Sequence, residues 1–258
     1  MKMPQEIRTE LQDGVLSITI ARPEKKNAIT SAMYIGLTDA LRQAWEDMTV
    51  KVVCLSGEGD VFTAGNDLGD FLRNPPKTGD APVFQFMKAA AFFEKPLVAS
   101  VDGLAVGIGT TILLHCDFVV ATPETKFMLP FVNLGLSPEA ASSYLLPLRA
   151  GQALASELLL WARPFNADTA LRAKIINAFV PRNELASEVS KRCEQICTQP
   201  AAAVRATKAL LKAPHIKQVE DALLREQQEF LQRLPSPEAK EAFNAFAEKR
   251  KPDFSQFS

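Results

Sequence analysis

The chain has 258 residues, of which 47% are hydrophobic and 23% charged, and its net charge is −1. That balance describes a globular protein long enough for a sizeable core, with no global field to recruit nucleic acid or an anionic membrane. No apolar run approaches the roughly eighteen residues of a membrane span, and the polar start MKMPQEIRTE resembles neither a secretory signal nor a transit peptide.

Four cysteines, Cys54, Cys116, Cys193 and Cys197, are scattered among mostly apolar neighbours and read as reduced packing thiols. Cys193 and Cys197 share a helix face, but no nearby His or third Cys completes a metal site, so no metal is expected. A reducing compartment follows: cytoplasm for a bacterial source, with peroxisome or mitochondrion open otherwise.

In chain order, GVLSITIA (14–21) alternates like a strand. After the turn RPEKKNA, Met33, Leu37, Leu41 and Trp45 recur every four residues on a helix expected to begin near Ser31. KVVCLSG (51–57) reads as a buried strand, and the Gly-, Asp- and Pro-rich stretch 58–82 as a long functional loop with some helix. PLVASVDG (96–103) is a further buried strand, VGIGTTILLHC turns into a helix, and DFVVAT and KFMLP are short strands. From Pro138 onward amphipathic helical patterns dominate, as in QALASELLLWA, AAAVRATKALLKA and QVEDALLREQQEFLQRL. The expected architecture is an α/β core over 1–195 with an all-helical region over 196–258, in one continuous folding unit.

Two glycine-containing turns each follow a buried strand, VFTAGNDL (61–68) and GLAVGIGTTILL (103–114). A turn opening into a helix leaves N–H groups without partners, and two such groups converging on one point form an oxyanion hole. Either turn alone is weak evidence. GLAVGIG could be mistaken for a dinucleotide fingerprint, but the first βα turn of the chain, where that fingerprint belongs, is not glycine-rich. In LGLSPEAASSY (134–144), Glu139 stands alone among small and apolar residues. One reading makes it a first-turn helix charge behind an N-cap Ser137 and an N1 Pro138; the other makes it a catalytic base.

Taken together, ITIARPEKKNAI, FTAGNDL, GLAVGIGTTILLHCDFVVAT, NLGLSPEAASSY and EAFNAFAEKRKPDF resemble, in order and spacing, the crotonase (enoyl-CoA hydratase/isomerase) superfamily. The match runs from about residue 6 to residue 254. The resemblance implies a spiral of ββα repeats, a C-terminal helical trimerisation region, assembly as a homotrimer or dimer of trimers, and an acyl-CoA thioester substrate without a separate cofactor. It places the oxyanion donors on the backbone N–H groups of Asn66 and Ile108. It also implies CoA contacts from Lys25 or Lys26, with Asn27 and Ala28 shaping the adenine end. Ala64, Gly65 and Leu68 would lie along the thioester region, Asp67 would orient the loop, and Phe246 and Lys249 would touch CoA from a neighbouring subunit. Apart from the resemblance, Lys25 and Lys26 read as a solvated turn.

Departures from the family pattern narrow the chemistry. Hydratases of the superfamily carry two catalytic glutamates, and the aligned positions here are Thr111 and Phe131. Adding water needs one group to activate water and another to manage the proton at Cα, and neither side chain can do this. Glu139 stands where hydratases usually have glycine, which resembles the peroxisomal-type Δ3,Δ2-enoyl-CoA isomerases. Their chemistry needs a single base that moves a proton from Cα to Cγ. The rival readings are another acyl-CoA enzyme of the same fold (hydratase or hydrolase) and a catalytically idle acyl-CoA-binding protein. Asp67, Asp70, Asp80 and Asp117 read as structural.

Overall fold

Residues 4–257 are described by a computed structural model of the chain. Ile7–Gln12 (β1) and Val15–Ile20 (β2) form an antiparallel hairpin closed by Asp13 and Gly14, both with positive φ, as an Asp-Gly turn requires. Every further strand of the main sheet is parallel: Val52–Gly57 (β3), Leu97–Val101 (β4), Phe118–Ala121 (β6) and Ala178–Phe179 (β8), in spatial order β1-β2-β3-β4-β6-β8. A second, two-stranded parallel sheet pairs Leu104–Val106 (β5) with Lys126–Met128 (β7). Three strands escaped the sequence reading, β5 because its three residues lie inside the stretch read as a glycine turn. β1 exposes five of its six residues at the sheet edge and so carries no alternation, and β8 is only two residues long.

The helix at Ser31 (α1, Ser31–Glu46) begins where expected, because the Thr30 hydroxyl oxygen accepts the Met33 N–H. Met33, Leu37 and Leu41 are buried but Trp45 is 42% exposed. Steps of four residues advance about 400°, so the fourth member has rotated roughly 120° off the buried face. Leu68–Arg73 (α2) and Pro82–Ala91 (α3) follow β3. The helix expected in VGIGTTILLHC is a single α-turn, Ile108–Thr111 (α4), that continues as 3-10 turn over 112–115.

The helical remainder comprises Ser142–Ala150 (α5), Gln152–Leu160 (α6), Ala167–Arg172 (α7), Arg182–Cys197 (α8), Ala201–Lys212 (α9), Ile216–Arg233 (α10) and Pro237–Ala247 (α11). The 195/196 division falls inside α8, and the main core runs continuously from Ile7 to Phe243. Cys193 is buried with Cys54 between α8 and the sheet, among Val52, Val98 and Val120. Among the described residues no helix is long and apolar enough to cross a membrane.

One buried amide ties the loops at the end of the sheet together. Asn27 is fully buried; its Oδ1 accepts the Arg22 N–H at 2.8 Å and its Nδ2 donates to Glu58 O and Val61 O at 2.9 and 2.6 Å. Asn27→Ala leaves all three backbone groups without that partner, and is expected to lower unfolding stability by roughly 2–4 kcal/mol in a denaturant titration.

Candidate active site

A cavity of about 920 Å³ opens where the loops after β2, β3 and β5 converge. Its buried wall is aromatic and aliphatic, with Phe71, Phe131, Leu136, Phe230 and Phe243. Its exposed or half-buried rim carries four cations, Arg22, Lys25, Lys26 and Arg73. An amphipathic ligand with an anionic head and an apolar tail suits such a division. Lys25, Lys26, Ala28, Ala64, Gly65, Asp67, Leu68 and Phe246 all border it; Lys249 does not, and Phe246 reaches the cavity of its own chain. Arg73 was not foreseen. Asn27 lies beneath the cavity and does not border it.

Asn66 and Ile108 border the same cavity from the two glycine turns. Neither backbone N–H donates to a protein acceptor among the described residues. The turns are pinned together: Thr63 N donates to Leu104 O at 3.0 Å and Val106 N to Thr63 O at 3.1 Å. Asp67 caps α2 through Asp70 N at 2.8 Å and pairs with Arg22 at 2.6 Å, fixing the loop that carries Asn66. Two backbone N–H groups without a protein acceptor thus belong to residues that line one cavity.

The helix expected to start at Ser137 is absent. Glu139, Ala140 and Ala141 precede α5, Ala140 and Ala141 both lie in the left-handed region at φ 57°, and Ser137 Oγ is buried without a hydrogen-bond partner. Two consecutive alanines in that region are strained, and such strain persists only where neighbours over-determine it. Glu139 is therefore no first-turn helix charge. It is 2% exposed, and Thr111 Oγ1 donates to its Oε1 at 2.9 Å. Burial pushes the Glu139 carboxyl up to about 8; the Thr111 hydroxyl pulls it down and the charge of Glu226 pushes it further up. With no helix beginning at Ser137, desolvation alone sets the direction of that shift.

Glu139 does not border the large cavity. It borders a separate space of about 10 Å³ with Phe84, Met87, Lys88 and Glu226, room for no more than about one water. Phe84 packs edge-to-face on Phe230, which does line the large cavity, with ring centroids 6.1 Å apart, so an aromatic pair separates the two spaces. Polar links cross between them. Thr111 stands on the same helical turn as Ile108, and its hydroxyl is also 3.3 Å from Gly107 O. Tyr34 Oη donates to Asn66 Oδ1 at 2.5 Å, and burial followed by the Glu139 charge raises that phenol. Tyr34 was not among the residues singled out from the sequence.

The sequence model of the enoyl-CoA hydratase/isomerase family matches residues 10–257. The chain belongs to that family. Relatives in the family differ in chemistry. The chain is 36% identical over 207 residues to enoyl-CoA delta isomerase 2 of Rattus norvegicus, covering 78% of this chain but 53% of that protein, so it spans about half of it. It is 32% identical to 1,2-epoxyphenylacetyl-CoA isomerase of Escherichia coli, across 98% of this chain and 99% of that one. Other members similar to it are hydratases, at 31% and 29% identity. A crystal structure of an enoyl-CoA hydratase/isomerase from Pseudoalteromonas atlantica superposes with a TM-score of 0.92 at 40% identity, covering 97% of this chain and all of that one. The α/β crotonase-like architecture is thereby that of the family.

Proposed function

We propose that the protein is a Δ3,Δ2-enoyl-CoA isomerase acting on a 3-enoyl-CoA thioester, with Glu139 as its single proton shuttle. The observation that carries this reading is a buried carboxyl, held protonated toward about 8 by desolvation, that Thr111 bonds to the turn beginning at cavity-lining Ile108. The thioester oxygen would accept the free N–H groups of Asn66 and Ile108. Glu139 would take a proton from Cα, leaving a dienolate whose charge those donors stabilise, and the same carboxyl would return the proton to Cγ. The double bond then lies in conjugation with the thioester, and no proton is gained or lost. A carboxyl poised near neutral pH is suited to both halves of the shuttle. For the acyl chain to meet Glu139, binding turns aside the Phe84–Phe230 pair.

Thr111 and Phe131 support isomerisation over hydration, since a hydroxyl bonded to Glu139 and a buried ring supply no second acid–base group. With a 3-enoyl-CoA, formation of the conjugated 2-enoyl thioester is expected in an ultraviolet assay. With 2-enoyl-CoA, water addition is expected to run roughly a hundredfold or more slower, for want of the second group. Hydration at a comparable rate would overturn the reading.

A further inference from the structure

We propose that Glu226 is a positioning residue for Glu139: its carboxylate holds the left-handed turn from which Glu139 projects and keeps a negative charge beside it. This rests on the isomerase reading for its consequence in catalysis, but the geometry stands alone. Glu226 is 6% exposed on α10, and its two oxygens accept the N–H groups of Ala141 at 2.6 Å and Ser143 at 2.8 Å. The α5 helix has no side-chain cap of its own, so a carboxylate 85 positions along the chain replaces one. The rest of the turn is fixed as well. Ser142 Oγ donates to Glu139 O at 2.6 Å, and buried His115 donates from Nε2 to Ala140 O at 2.7 Å. Burial holds that imidazole down near 3, so it is neutral and carries the one ring proton this bond needs.

The two carboxyls are placed unequally. Glu226 accepts two N–H bonds at a helix N-terminus, where an anion is favoured, while Glu139 receives a single hydroxyl and no N–H. Burial raises both, but of the pair Glu226 is the one built to keep its charge and Glu139 the one to hold a proton. The other groups facing this space are few. Thr111 on α4 bonds Glu139, and Tyr34 on α1 is near enough to feel its charge; half-buried Lys88 on α3 and Gln227 on α10 border the space that both carboxyls share, and exposed Arg225 lies beside Glu226.

The test compares the full-length protein with Glu226→Gln and Glu226→Asp, by two readouts. The first is the pH at which the infrared C=O band of the protonated Glu139 carboxyl, identified by its loss in Glu139→Gln, disappears. The second is kcat and KM for a 3-enoyl-CoA. Removing the like charge in Glu226→Gln is expected to lower the infrared midpoint by on the order of one pH unit. It should also reduce kcat about tenfold or more, with KM changed far less. Glu226→Asp keeps the charge but shortens the reach, so its midpoint should stay in place while kcat falls; it also serves if Glu226→Gln does not fold. A midpoint unmoved in Glu226→Gln, or one that falls equally in Glu226→Asp, overturns the proposal. A shifted midpoint in a protein with no isomerase activity supports the positioning role and overturns the isomerase reading instead.

Discussion

Glu139→Gln is expected to lower kcat for 3-enoyl-CoA isomerisation by roughly 10³–10⁴-fold while leaving KM almost unchanged. The amide keeps the size of the side chain and can still accept from Thr111, so the turn that carries it persists. What it loses is the ability to take a proton from Cα and give it back at Cγ. Retention of full activity would remove Glu139 from the mechanism. Thr111 cannot replace it near neutral pH, and Tyr34, whose phenol is raised well above its ordinary value, cannot either.

The same carboxyl sets two pH dependences of opposite direction. As a base in the free enzyme, Glu139 must be ionised, so kcat/KM is expected to rise with pH through about 8. For stability the sign reverses. Between the unfolded value near 4.5 and the folded value of about 8, the native state holds a proton that the unfolded chain has released. The stabilising contribution is thus whole below about pH 4.5 and is lost as pH rises through about 8. Glu139→Gln does not titrate, so its advantage in melting temperature over the parent should grow from pH 5 to pH 8. An equal difference at both pH values would mean that the carboxyl is not held protonated.

How much of this was legible in the sequence depends on how local each feature is. The strands at 15–20, 52–57 and 97–101 declare themselves by their own side chains, as does α1 through the spacing of Met33, Leu37 and Leu41. The turns at Gly65 and Gly107 were visible as glycine motifs, and cavity-lining positions such as Ala64 and Leu68 followed from the family resemblance. Glu139 was singled out for what its neighbours lack, yet its local context was misread. Ser-Pro-Glu has the composition of a helix start, but Ala140 and Ala141 take left-handed values because Glu226 and His115 clamp them from other elements. No pattern around residue 226 or residue 115 announces that clamp. In its own helix Glu226 is one acidic residue in a charged run, and only folding brings it under α5. Tyr34 was hidden similarly, since a buried aromatic on a helix face looks like packing until its hydroxyl is seen to reach Asn66.

Gly65→Ala is expected to lower kcat by roughly 10²–10³-fold, the effect of losing one oxyanion donor. Gly65 has φ +85°, and a Cβ there would stand 2.6 Å from Val106 O, a backbone atom that cannot swing away. Relief requires the Asn66 turn to move back from β5, and this separates its N–H from that of Ile108 across the cavity. Two donors aimed at one oxygen tolerate little displacement, since their benefit depends on being in place before charge develops. The same motion strains Thr63, whose hydroxyl donates to Asn27 O at 2.7 Å and lies 3.0 Å from Gly65 N. A drop in melting temperature should therefore accompany the drop in kcat. The two are separable by ligand: a non-reactive saturated acyl-CoA, which gains little from the oxyanion hole, should bind Gly65→Ala within a fewfold of the parent. Unaltered turnover in that variant would show that the N–H of Asn66 is not aimed at the thioester oxygen.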